Sequence, residues 1–155
     1  MHVKHMNNKY KNMKKESGGV VYVSHRESFC YGHRMHSKYF SKEDNKKIFG
    51  KCNEINGHGH NCILEVTLRG NVNNKSGMIT KDVKELKKAI KDVIVNEWDH
   101  KNLNLDTSIF RDLNPTVENM VVAIWNLLQK RIKDGRLYEV KLHETDKISA
   151  YYRGK

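Results

Sequence analysis

No apolar run in this sequence approaches the length needed to cross a bilayer, and the N-terminus lacks the apolar block and small-residue cleavage site of a secretory signal. These absences argue against a membrane helix and lead to the expectation of a soluble, cytoplasmic protein. Cysteine is scarce. Cys30, Cys52 and Cys62 make an odd number without the dense, even pattern of a disulfide-stapled secreted domain, so reduced thiols are expected. Acidic residues are short as well, 18 against 29 lysines and arginines, for a net charge of +11. The surplus invites a nucleic-acid reading, but no arginine-rich stripe with interleaved aromatics and no nucleic-acid motif accompanies it. Part of it sits in the first residues, where Lys4, Lys9, Lys11, Lys14 and Lys15 face only Glu16.

What is present fits one domain: 155 residues and 18.2 kDa supply one core and little for a second. Residues 1–19, polar, basic and ending in Ser17-Gly18-Gly19, bury too little to offset the entropy of ordering and are expected to form a disordered tail. The histidines in it, His2 and His5, read as incidental. Residues 20–155 make the domain. Val20 to His33 is dense in β-branched and aromatic residues and reads as a strand. Residues 34–57 read as a long loop with a short helix around Lys42 to Ile48. Beyond Gly57, strict alternation puts His58, His60, Cys62, Leu64, Val66 and Leu68 on one face of a second strand.

Ile79, Val83, Leu86, Ile90, Val93 and Ile94 recur at helical spacing, and a second helix is expected from the N-cap Thr116, carrying Val117, Met120, Val121, Ile124, Leu127, Leu128 and Ile132 and stopped by Gly135. Tyr138, Val140 and Leu142 then alternate along a strand reaching Glu144, and Ile148 to Tyr152 forms a last short one. The order β-β-α-α-β-β predicts an α+β domain, an antiparallel four-stranded sheet with two helices on one face. Such a sheet leaves two open edges, which favours edge-to-edge assembly of subunits.

The chemistry-bearing residues follow from parity. On a strand, His58 and His60 project to the same side and can share a metal ion, with Gly57 and Gly59 leaving the backbone uncrowded. His33 ends the first strand with the parity of Phe29 and Tyr31, so an antiparallel neighbour brings it beside the pair. Three neutral imidazoles suit Zn2+ and leave a fourth tetrahedral position open, as in a catalytic site; the competing arrangement adds Cys52 as a fourth ligand and closes it. A thiol near a dication and near Lys51 is a candidate base or nucleophile. Cys30 and Cys62 read as small apolar strand residues. Asp99 beside His100 can fix an imidazole tautomer and raise its basicity. Glu144 continues an apolar face, where a carboxylate is costly unless it meets a donor, and it is suited to two parallel hydrogen bonds from an amino-pyrimidinone ring.

Together FCYGHR, FGKCNEINGHGHN, WDHKNLNLD, PTVEN and LHETD, in this order from about Val20 to Tyr152, resemble the 6-pyruvoyl-tetrahydropterin synthase family. The resemblance implies a tunnelling fold, in which sheets join edge to edge into a barrel and two trimers stack as a homohexamer with active sites between subunits. It implies zinc on His33, His58 and His60, Cys52 as the proton acceptor supported by Asp99 and His100, and Glu144 as pterin anchor with Thr116 assisting. The implied reaction is that of a lyase of tetrahydrobiopterin biosynthesis: 7,8-dihydroneopterin triphosphate loses triphosphate, accompanied by Mg2+, to give 6-pyruvoyl-tetrahydropterin. Relatives usually carry small residues such as Ser and Ala where Cys30, Tyr31 and Gly32 stand, and many have Thr at the place of Val117, so the fine shape of the pocket differs.

Two neighbouring activities compete. A 6-carboxytetrahydropterin synthase commonly has its cysteine closer to the His-Gly-His than the five residues between Cys52 and His58, and relatives that cleave the side chain to a hydroxymethyl pterin place Glu there. A reading from another class is a zinc-stabilised basic module that binds nucleic acid.

Overall fold

The computed structural model describes residues 19–79, 83–132 and 136–155. The expected tail, apart from Gly19, and the expected helix stop at Gly135 therefore lie outside the described residues. Strand β1 (Val20–His33) runs antiparallel to β2 (His58–Asn71) over its whole length, from Val20 opposite Asn71 to His33 opposite His58. Alternation holds from Tyr22 to His33 in β1 and from His58 to Val66 in β2, and one face of the pair is buried from Phe29 and Tyr31 to Cys62, Leu64 and Val66.

The expected four-stranded antiparallel sheet is corrected in one respect. The sheet has five strands, ordered β3-β1-β2-β4-β5, and it is mixed, because β3 (Lys101–Asn102) pairs parallel to β1 at Tyr31 and Gly32. Two residues are too few to show an alternation, which is why this edge strand is invisible in the sequence. Strand β4 (Leu137–His143) adds antiparallel to β2, and β5 (Ser149–Tyr152) adds to β4.

A second correction concerns β4. A register shift opposite Thr67 and Leu68 turns Leu137 inward with Val140 and Leu142. Tyr138, expected on that buried face, instead meets Tyr22 edge-on at 4.7 Å and lies under the Arg153 guanidinium on the outer face.

Helix α1 (Lys42–Phe49) starts where Ser41 Oγ accepts from Asp44 N at 3.0 Å, and it leads into a 3-10 turn, Gly50–Asn53. Buried Asn45 ties this segment together, its amide fastened to the main chain of Ser37, Phe40 and Ser41. Helix α2 is described from Val83 to Ile90, and Ile79, expected to belong to it, lies in a bend. The helix continues through a π-helical stretch, Lys91–Val95, into the final turn Asn96–Trp98. A four-residue helix, α3 (Leu103–Asp106), follows β3. Helix α4 (Val117–Gln129) is capped by Thr116 Oγ1, which accepts from Asn119 N; it ends before Ile132, whose N–H closes a turn on Leu128 O.

Helix α2 packs on β1 and helix α4 on β4 and β5. Leu86, Ile90, Ile94 and Trp98 from the first and Met120, Ile124 and Leu128 from the second meet Leu64, Val66, Val140 and Leu142 in one core. Fully buried Leu and Ile side chains each contribute about 1.5–3 kcal/mol of transfer free energy. The core thus lies under the sheet face that also carries the histidines. No helix among the described residues is long and apolar enough to cross a membrane.

Candidate metal centre and acid-base residues

The β1–β2 register places His33 directly opposite His58 and Tyr31 opposite His60, on the buried face at the sheet end. The three imidazole centroids stand 4.5, 4.8 and 5.0 Å apart, and one donor nitrogen from each lies within 4.8 Å of the others. His33 is fully buried, and its Nδ1 donates to Pro115 O at 2.7 Å, which leaves a lone pair on Nε2. That Nε2 is 3.0 Å from His58 Nε2, while His60 Nε2 is buried with no hydrogen-bond partner.

Such an orphaned nitrogen costs about 1–3 kcal/mol unless something uses it. Burial lowers the His33 pKa to about 4, against the raising effect of the Pro115 bond, and burial first and His60 second lower that of His58. Both rings are neutral at pH 7, the state that ligates a metal. Nitrogens on one tetrahedral zinc stand about 3.3 Å apart at the usual bond length, so the cluster fits a metal ion.

Glu144, just past β4, sits against this cluster. Its Oε1 is 3.9 Å from His33 Nε2 and 3.8 Å from His60 Nε2, and it accepts from the Tyr31 hydroxyl at 3.2 Å. Burial, with the Glu144 charge second, raises the Tyr31 pKa, so the phenol remains a donor. The parity of Tyr31 with His33 was the sequence signal for this residue. No signal pointed to the Pro115 carbonyl.

Asp99 and His100 follow Trp98 on the other side of β1. Asp99 Oδ1 accepts from Cys30 N and its Oδ2 bonds His100 Nδ1, both at 2.8 Å; the first of these is the main reason its pKa is lowered. His100 is held at φ +59°, a left-handed conformation, with its N–H on Cys30 O at 2.8 Å. Cys52 lies elsewhere, in the 3-10 turn, its carbonyl accepting from Met35 N at 2.9 Å. None of the bonds that hold Asp99 and His100 reaches Cys52. Thr116 spends its hydroxyl on capping α4. Cys62 is buried, as expected, and burial pushes its thiol up to about 12. Cys30, read from sequence as a small apolar strand residue, lies in β1 and is half-buried, with parity opposite to that of Phe29 and Tyr31.

A separate cavity of about 340 Å³ is lined by Arg34, Gly57 and Asn114, the chain neighbours of His33, His58 and Pro115, and by none of the cluster residues themselves. Lys38 and Arg111 add positive charge to its lining, and Asp112, 3.3 Å from Lys38 Nζ, adds one negative charge.

An α+β sheet with three convergent imidazoles, a carboxylate against them and an Asp–His pair nearby defines a protein able to hold a metal ion for acid–base chemistry on a small molecule. Comparison with known proteins narrows the class. The family model described as 6-pyruvoyl tetrahydropterin synthase matches residues 22–155. The 6-pyruvoyl tetrahydrobiopterin synthase of Homo sapiens is 44% identical over 146 residues, covering 92% of this chain and 100% of that protein. Its namesake from Drosophila melanogaster is 43% identical over 136 residues, 87% of this chain and 80% of that one. The solved structure of the Caenorhabditis elegans 6-pyruvoyl tetrahydropterin synthase superposes with a TM-score of 0.85 at 38% identity, covering 88% of this chain and 97% of that chain. This chain belongs to the 6-pyruvoyl tetrahydropterin synthase family, and it is an enzyme.

Proposed function

We propose that this enzyme converts 7,8-dihydroneopterin triphosphate to 6-pyruvoyl-tetrahydropterin with loss of triphosphate, a lyase step of tetrahydrobiopterin formation. The observation that carries the proposal is the convergence of His33, His58 and His60 with Glu144 at one sheet end, in a chain of this family. His33, His58 and His60 would hold Zn2+, which when bound would supply Lewis acidity toward the side chain of the substrate.

The remaining work falls to the protein's own groups. Glu144, oriented by the Tyr31 hydroxyl, receives two N–H bonds from the pterin ring and fixes which side-chain carbons face the metal centre. Thr116 lends a further polar contact to the ring. The Cys52 thiolate takes a proton from one side-chain carbon and protons return to the ring, so oxidation level moves within the substrate and no external redox cofactor is needed. Asp99 sets the tautomer of His100, and this pair supports Cys52. Within one chain the pair lies beside Cys30, so the support comes across a subunit boundary in a homohexamer of two stacked trimers, joined through sheet edges in a tunnelling fold. The cavity that Arg34, Lys38 and Arg111 line, with Asp112 as its one carboxylate, carries net positive charge suited to the triphosphate, with Mg2+ accompanying it.

The test is incubation of the zinc-loaded protein with 7,8-dihydroneopterin triphosphate and magnesium without oxygen, with the pterin product identified by mass spectrometry. A 6-pyruvoyl product with free triphosphate is expected. A carboxy or hydroxymethyl pterin would move the function to a sister activity on the same site, and unchanged substrate would overturn the assignment.

A further inference from the structure

The histidine cluster is not the only place where metal-ligating side chains converge. Cys30, Asp99 and His100 offer a thiol, a carboxylate and an imidazole whose ligand atoms all lie within 4.8 Å of one another. Their backbone is fixed twice over, by His100 N on Cys30 O and by Cys30 N on Asp99 Oδ1, each at 2.8 Å, so the three side chains leave a rigid base. Within one chain the group is open. The His100 side chain is 80% exposed, Asp99 29%, and a shallow hollow of about 380 Å³ lies over them, bordered by Cys30, His60, His100 and Lys101.

We propose that Cys30, Asp99 and His100 form a second, weaker site for a thiophilic divalent cation of the zinc class, and that its occupation inhibits the enzyme. The donor set matches such an ion: sulfur, nitrogen and oxygen in tetrahedral array around zinc stand about 3.3–3.6 Å apart, and the exposed His100 ring supplies the closing movement. Charge also balances, since a thiolate and a carboxylate together neutralise a dication. On binding, the Cys30 thiol gives its proton to solvent, and the imidazole proton moves from Nδ1, where Asp99 now receives it, to the outer nitrogen, so that Nδ1 is free to ligate. Within one chain the site keeps an open position and is less enclosed than the largely buried histidine cluster, so it holds its ion less tightly. The inhibitory half rests on the proposed pterin chemistry: a cation bridging Asp99 and His100 removes the pair from proton transfer.

The experiment uses the full chain carrying its first metal equivalent, dialysed against rising cobalt(II), with bound metal counted and the near-ultraviolet thiolate-to-cobalt band recorded. An all-histidine site gives no such band. Wild type should take up a second equivalent with the band; Cys30→Ser should lose both, by more than about tenfold in affinity, while keeping the first equivalent and its basal turnover. Turnover of Cys30→Ser should also resist cobalt or zinc at concentrations that halve that of wild type. Failure of wild type to bind a second equivalent, persistence of the band in Cys30→Ser, or equal inhibition of that variant would overturn the proposal. Stoichiometry and absorption are read without turnover, so the site stands or falls separately from the pterin assignment.

Discussion

His33 and Pro115 are 82 residues apart in the chain, yet the imidazole Nδ1 of the first donates to the carbonyl oxygen of the second across 2.7 Å. This bond fixes which nitrogen of His33 is free, and so it leaves Nε2 of a buried ring available to a metal ion. His60 has no comparable anchor at its buried Nε2. The two residues therefore fail differently when removed.

His60→Ala is expected to lower zinc affinity by more than about tenfold with little change in stability. His33→Ala should lose zinc and, measured metal-free, should also lose about 1–3 kcal/mol, because the Pro115 carbonyl is left buried without its donor. Metal analysis after dialysis and urea unfolding of both variants check this. Equal stability of the two would mean that the Pro115 bond does not hold the ring.

Gly57 is the point where the backbone comes closest to the cluster. It has φ +66°, and a Cβ there would stand 2.5 Å from His33 O. Gly57→Ala should therefore push the end of β1 away from β2, destabilise the protein by about 2 kcal/mol or more and weaken zinc binding. Gly50 is the control: it has φ +53° but open space around it, so Gly50→Ala should cost stability through backbone strain alone and leave metal affinity intact. If both variants bound zinc like wild type, the contact with His33 would have no bearing on the site.

The part of this site that lies on long strands was legible in the sequence. His33, His58, His60 and Tyr31 share a face because parity is preserved along β1 and β2, and the register that sets His33 opposite His58 completes what parity began. Glu144 was legible for a less secure reason. The alternation from Tyr138 that pointed to it is broken by the register shift near Leu137, and Glu144 reaches the cluster from the turn after β4 instead. Short or irregular elements were not legible: β3 is two residues long, and the π-helical stretch before Trp98 has no pattern of its own. The meeting of Cys30 with Asp99 and His100 was not legible, because those two come from a segment with no period to place it.

Cys52 distinguishes catalysis from ligation. Its turn is tied to β1 through Met35 N and its own carbonyl, a bond the side chain does not make. Cys52→Ala should keep zinc content and thermal stability near wild type while lowering kcat by at least about a hundredfold, the scale of a positioned proton acceptor. Loss of zinc in this variant would make the thiol a fourth ligand and close the site.

Asp99 gives the molecule an acid limb. The Cys30 N–H, with His100 second as a side-chain partner, holds its carboxyl below the usual carboxylate range. The unfolded chain binds this proton more readily than the folded one, so the contribution to stability is complete above the ordinary aspartate value, about 4. It is lost as pH falls through the lower folded value. Asp99→Asn retains an oxygen for the Cys30 N–H but cannot titrate, and it should lose less stability than wild type between pH 6 and pH 3. Urea midpoints of the two proteins at those pH values decide the matter: parallel losses would show that the carboxyl is not depressed in the folded protein, and that the bond from Cys30 holds the His100 segment in place without favouring the charged form.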